Sequence, residues 1–233
     1  MPRIVKMRHH PLGYIIAGNF GDSLTLGNET VYSGACPVAF YVAMLDDSDQ
    51  PVWVRNGLSL IQHPAHVVDV AVSGTGRTAV LLRSVPRMIV DGDTLASPHD
   101  YDWMLLVFGS DGHLESHQVL TTDGEQAVLV FDRTFIAFDQ VEHLWLAGTM
   151  ENNVVVGSDT IASHGPFQFD HLVARFDSTG ALSAHTVIEG GMNGSDAIIS
   201  YGLAEAIGNR MIWPGEYRDG ALVGGVPLDS TGA

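Results

Sequence analysis

Cysteine occurs once in the 233 residues, at Cys36, and lysine once, at Lys6. A single thiol excludes an intramolecular disulfide and a thiolate metal cluster. It sits in "SGACPVAFYV", just before an apolar run and with no basic residue close in sequence to lower its pKa. It therefore reads as a buried structural thiol rather than a nucleophile. Basic residues are scarce: 11 Lys and Arg face 27 Asp and Glu, a formal net charge of −16. Such a surface repels phosphate backbones and anionic headgroups, which argues against nucleic acid and membrane-surface partners. It suits a salty medium as well as ordinary solubility, and ordinary solubility is the simpler reading. No apolar stretch approaches the roughly 18 residues of a membrane span, so no membrane insertion is expected. The opening "MPRIVKMRHHPLGYIIAG" has basic residues but no hydrophobic region of signal length. An exported parent would carry its signal elsewhere.

Helical periodicity is weak throughout, and the best helical stretch, "GLAEAIGN", is flanked by glycine. What the chain does have is apolar residues (45%), 26 Gly and 10 Pro, with only 16% charged residues. That composition can bury a core, is not that of a disordered chain, and supplies many tight turns, which favours β structure.

The chain also repeats itself. "LTLGNETVYS" begins at 24, "MIVDGDTLAS" at 88, "VVVGSDTIAS" at 154 and "ALVGGVPLDS" at 221, steps of 64, 66 and 67. Ahead of each stands a second marker: "YIIAGNF" at 14, "TAVLLRS" at 78, "LWLAGTM" at 144 and "MIWPGEY" at 211, with the same steps. A third, "LDDSDQ" at 45, "FGSDGH" at 108 and "FDSTGA" at 176, steps by 63 and 68. Copies one and three align without a gap from Gly18–Ser33 to Gly148–Ser163. The repeat units run approximately 1–66, 67–132, 133–200 and 201–233, the last incomplete, within one segment spanning 1–233.

Within a unit, "YIIAG" and "LWLAG" read as short buried strands. The next marker is a hairpin split by Gly27-Asn28, Asp91-Gly92, Gly157-Ser158 or Gly224-Gly225. These are two-residue turns that need positive φ at one or both positions, so the backbone demand persists while the residues vary. "FYVAML", "WMLLVF" and "HLVARF" read as strands that enter polar turns and return through "PVWVR", "LESHQVL" and "LSAHTVI". Short strands such as "VVDVAVS", "FIAFDQV" and "GLAEAIG" open the units. The expected unit has four main antiparallel strands with a small hairpin inserted after the second. Such a unit cannot bury both faces alone and must stack on its copies, as in a β-propeller.

The residues Ile136–Asp139, Leu144–Gly148 and Asp170–Gly180, with Leu45, Asp46 and Trp53 in copy one, resemble the bacterial seven-bladed β-propeller (SBBP-type) repeat. Copy two departs at Ser73 and Leu82, and copy four has Ala206 in the Asp place. The resemblance implies an all-β protein of propeller blades, partial or open, with an extra hairpin per blade. It also implies a secreted or cell-surface setting and a role in binding protein or glycan ligands. Three and a half units do not close an ordinary ring. The expectation is a segment of a longer protein, with two chains completing one ring or an open capped array as alternatives.

No catalytic, cofactor or metal constellation is expected. His63/His66 and His113/His117 have metal-like spacing, but no Cys or Glu completes either pair, and His113 follows a turn while His117 lies on a strand. His9 and His10 read as solvated loop residues. Asp46, Asp47 and Asp49, or Asp91 and Asp93, could hold calcium, but plain turn chemistry explains them better. Asp100 and Asp102 flank Tyr101 before Trp103, a pattern compatible with sugar binding or cleavage. Asp170 recurs at the Asp102 position, which makes that acid look structural. "GTGRTAV" at 74–80 lacks the Gly-Lys-Ser/Thr of a phosphate loop. Trp53, Trp103, Trp145 and Trp213 share no repeat position and read as packing. Of two glycosylation-type triplets, at 28–30 and 193–195, the first lies on a hairpin turn.

Overall fold

A computed structural model describes residues 2–61, 63–100, 102–122, 134–150, 152–163 and 170–189. Beyond these it describes the strand residues 198–200, 205–207, 210–212, 215–217, 222–223 and 226–227. The chain divides into two compact units, Met1–Val119 and Leu120–Ala233. Every regular element among the described residues is a β-strand, and the pairings are antiparallel. No described helix is long and apolar enough to cross a membrane.

The first unit begins with β1 (Arg3–His10) and β2 (Gly13–Phe20), then the hairpin β3 (Ser23–Leu26) and β4 (Glu29–Tyr32). β5 (Ala39–Leu45) and β6 (Pro51–Ser59) complete an antiparallel sheet in the order β1-β2-β5-β6. The pattern then recurs. β7 (His66–Val72) and β8 (Thr78–Arg83) precede the hairpin β9 (Arg87–Val90) and β10 (Asp93–Ala96). After it come β11 (Trp103–Phe108) and β12 (Leu114–Thr122). The inserted hairpin thus stands after the second strand, where the sequence markers put it. Its partner is the surprise. β9 does not join the sheet of its own repeat but adds to the outer edge of the preceding one, giving β1-β2-β5-β6-β9-β10.

The second unit opens on the last residues of β12, Leu120–Thr122, which pair with β15 (Val154–Val156) of the hairpin it forms with β16 (Asp159–Ile161). Its main sheet is β13 (Phe135–Phe138), β14 (Leu144–Met150), β17 (Asp170–Phe176) and β18 (Leu182–Glu189). Among the described residues the third copy ends on a short strand and the incomplete fourth copy supplies five more. β19 (Ile198–Ser200) pairs with β22 (Gly215–Tyr217), and β20 (Glu205–Ile207) pairs with β21 (Arg210–Ile212). Position 206 therefore lies within a strand, opposite Met211. The hairpin of β23 (Leu222–Val223) and β24 (Val226–Pro227) again leaves its repeat and adds to β18.

Core formation in the first unit follows the alternation of β5. Phe40, Val42 and Met44 face one side with Ile15, Ala17, Val80, Leu82, Met88 and Phe108. Ala39, Tyr41, Ala43 and Leu45 face the other side with Ile16, Phe20 and Leu24. A strand buried on both faces loses the polar half of the β pattern, and β5 and β11 are buried along their whole length.

Among the described residues one turn recurs five times. It begins at Asp46, Ser73, Gly109, Asp139 and Asp177. In each, the first residue's amide donates to the carbonyl four residues on, and the fourth residue's amide donates back to the first carbonyl. The fourth residue always has positive φ: Asp49 (59°), Gly76 (88°), Gly112 (80°), Glu142 (67°) and Gly180 (86°). A side chain in that region costs about 1 kcal/mol, through the contact of its Cβ with the backbone. Glu142→Gly is therefore expected to raise the stability of the second unit by about 1 kcal/mol, and Gly180→Ala to lower it by a similar amount. Urea denaturation of the two full-length variants checks the opposite signs.

Candidate functional site

The turns explain most of the acids singled out in the sequence. Asp46 Oδ1 accepts the amides of Ser48 (2.8 Å) and Gln50 (2.9 Å). Asp177 Oδ1 does the same for Thr179 and Ala181, at 2.9 and 3.0 Å. Ser73, the departure in copy two, keeps the arrangement, because its Oγ accepts the Arg77 amide at 3.0 Å. These oxygens close their own backbone turns. Asp91 and Gly92 both have positive φ (51° and 89°), as a two-residue hairpin turn requires.

Asp139 is the most heavily used of these acids. Its Oδ1 accepts the amides of Val141 and His143, both at 2.9 Å. Its Oδ2 accepts from the His143 ring at 3.1 Å and from the Trp145 indole N–H at 3.0 Å. The Arg175 guanidinium lies over the Trp145 ring, 5.6 Å from its centre. The side chain of Asp139 has no exposed surface.

The histidine pairs do not assemble. His63 Nδ1 lies 3.3 Å from Asp100 Oδ1. His66 starts β7, opposite Arg83. Burial, and then the charge of Arg83, hold its pKa below the ordinary histidine value. His113 Nδ1 meets Asp91 Oδ2 at 3.1 Å, and His117 lies further along β12. Among the described residues no three metal-ligating side chains come together. Asp100 and Asp102 also diverge. Asp100 faces His63, whereas buried Asp102 accepts from the Ser97 hydroxyl (2.6 Å) and the His99 amide (2.9 Å).

The expectation that His9 and His10 are solvated loop residues is corrected in part: His9 is exposed, but both end β1, and His10 is buried. Its Nδ1 accepts the Leu12 amide at 3.1 Å, and its Nε2 meets the Gly76 carbonyl at 3.1 Å. The imidazole thus ties the β1–β2 turn to the equivalent turn of the next repeat, which a local reading of "RHHPLG" does not contain. The sequence reading also missed Asp69. This carboxylate is 1% exposed and meets Arg8 Nη2 at 2.9 Å and Lys6 Nζ at 3.4 Å. The available signals were an acid inside the apolar run "VVDVAV" and the only lysine of an acidic chain on an alternating strand.

Trp53 packs where the sequence reading expects packing. Its indole N–H donates to the Ser110 carbonyl at 3.1 Å, and its ring stacks near Phe108 with centres 6.3 Å apart. Trp103 is wholly buried, and Cys36 is buried with its thiol donating to the Val38 carbonyl. Trp213, Tyr101, the Gly224-Gly225 turn and the 193–195 triplet lie outside the described residues. A surface cleft of about 310 Å³ follows the β6–β9 seam, with Arg55, Asn56 and Asp91 as its polar lining. Asp91 is its one acid, and no tryptophan lines it.

Three turn carboxylates titrate below the ordinary aspartate value of 3.8. For Asp91, burial pushes upward but is outweighed by the Leu114 amide, the His113 ring and Arg55. For Asp139, burial is again outweighed, chiefly by the Trp145 indole and the amides of His143 and Val141. For Asp177 the Thr179 hydroxyl leads, followed by the Ala181 amide. A depressed folded-state pKa contributes stability that is fully present above the unfolded value and is lost as pH falls through the folded one. Melting temperature is therefore expected to fall below about pH 4, and Asp139→Asn to flatten that fall. A thermal series from pH 6 to pH 2 checks both. No family model matches the chain, and no curated protein matches it.

Proposed function

We propose that the chain is a non-catalytic β-propeller segment that acts as an interaction scaffold on a secreted or cell-surface protein. One observation carries the reading: the same six-strand arrangement is built in each unit, from a four-stranded sheet and the next repeat's hairpin. Stacked repeats of this kind offer loops and turns for binding while their strands form the frame. The acids and histidines that could do chemistry are engaged instead in turns and single pairs, such as Asp46, Asp139, Asp102 and His113. The net charge of −16 disfavours nucleic acid and anionic membrane surfaces as partners. A turnover screen over glycans, esters and peptides tests the reading. No hydrolysis is expected, and turnover abolished by one point substitution would overturn it. A carbohydrate-binding propeller is the alternative, and a glycan array distinguishes it by specific hits.

A further inference from the structure

We propose that the free edge of β3 is a strand-docking site, and that its occupant is the outermost strand of a further repeat of the same kind, carried on polypeptide other than these four repeats. Three of the four inserted hairpins are covered in one register. Gly57, Leu58 and Ser59 of β6 oppose Val90, Ile89 and Met88. Leu120, Thr121 and Thr122 of β12 oppose Val156, Val155 and Val154. Ile188 and Glu189 of β18 oppose Val223 and Leu222. These pairs occupy the same repeat positions, since 57, 120 and 188 step by the same 63 and 68 as the third sequence marker. The first hairpin likewise turns in two residues, but among the described residues β3 and β4 form a sheet of two strands.

Register tells which backbone groups await a partner. In a two-residue hairpin the residues flanking the turn exchange hydrogen bonds, so Leu26 pairs with Glu29 and Leu24 with Val31. The N–H and C=O of Thr25 therefore face outward, as do those of Ile89, its counterpart opposite Leu58. The Leu60 amide donating to the Arg87 carbonyl at 3.0 Å, two residues along, shows the same outward side in use.

Burial shows the missing layer. Val90 and Val156 are 0% and 2% exposed, whereas Leu26 at their position is only half-buried. Leu95 and Ile161 are 3% and 1% exposed, whereas Val31 is half-buried. Leu24 is buried against Phe20 and Tyr41, which anchors the hairpin and holds its edge outward. A second copy of this chain is a poor occupant, because β6, β12 and β18 already carry β9, β15 and β23. The partner strand should place Gly, Leu or Ile opposite Leu26 and should extend the ladder antiparallel, the mode of edge-strand recognition.

The test adds synthetic peptides of residues 51–60, 114–122 and 182–189 to the full chain and follows amide exchange. At saturation at least one is expected to slow exchange of the Thr25 amide tenfold or more. One control is expected to abolish the slowing: the 51–60 peptide N-methylated at Leu58, which removes the peptide's donor to Thr25 and leaves the protein unaltered. Unchanged Thr25 exchange with all three peptides, or equal slowing by a scrambled or N-methylated peptide, would overturn the proposal. It rests on the repeat reading but not on the absence of catalysis: a turnover activity would sink the scaffold assignment and leave this edge untouched.

Discussion

Asp139→Ala is expected to destabilise the second unit by about 3 kcal/mol, from loss of a buried carboxylate that accepts four hydrogen bonds. The removed group closes a turn with Oδ1 and holds two rings with Oδ2, so the cost exceeds that of one ordinary hydrogen bond. Asp139→Ser separates the contributions. Ser73 closes the equivalent turn through its Oγ. Serine at 139 should therefore retain the turn and lose only the His143 and Trp145 contacts, about half the penalty. Denaturant unfolding followed by tryptophan fluorescence measures both. A loss for alanine no larger than for serine would show that the indole and imidazole contacts dominate and the turn contributes little.

Gly18→Ala is expected to cost the first unit about 3 kcal/mol, at the upper end of overpacking penalties. A Cβ there would lie 1.9 Å from the Arg3 carbonyl oxygen and 3.1 Å from Ile4 Cα, both backbone atoms of β1. No rotamer relieves such a contact, so β1 must part from β2 near its bulge between Ile4 and Lys6. Gly34→Ala is the control. Its φ of 64° is unfavourable to a side chain, but an added Cβ meets nothing within 4 Å. A loss of about 1 kcal/mol there isolates the conformational cost from the steric one. Equal losses at both positions would refute the close-approach argument.

Much of the fold was legible because its signals are local. A two-residue turn with positive φ restricts residues whatever surrounds it, so Gly27, Asp91-Gly92 and Gly157 mark hairpins directly. Apolar runs such as "WMLLVF" and "FYVAML" likewise announce buried strands. The choice of partner was not legible. Nothing in "MIVDGDTLAS" says that β9 will join β6 rather than its own repeat, because the deciding contacts come from residues some thirty positions earlier. β1 was obscured for a related reason. The face it turns inward is polar, made of Lys6, Arg8 and His10, whose buried partners Asp69 and Gly76 lie on the next repeat. The candidate acids were read correctly as turn formers wherever one side chain serves its own loop, as at Asp46. Asp139 has a wider role because His143 and Trp145 happen to face it.

The handing of each hairpin to the preceding sheet also orders events during synthesis. The sheet that begins at Arg3 has its four main strands once Ser59 has been made, but its outer edge stays open until Ala96 leaves the ribosome. The same lag separates Glu189 from Pro227. Each nascent sheet therefore waits, adhesive along one side, for a piece of its successor. A fragment cut at residue 66 would expose that side permanently, whereas one ending after Ala96 would keep it covered.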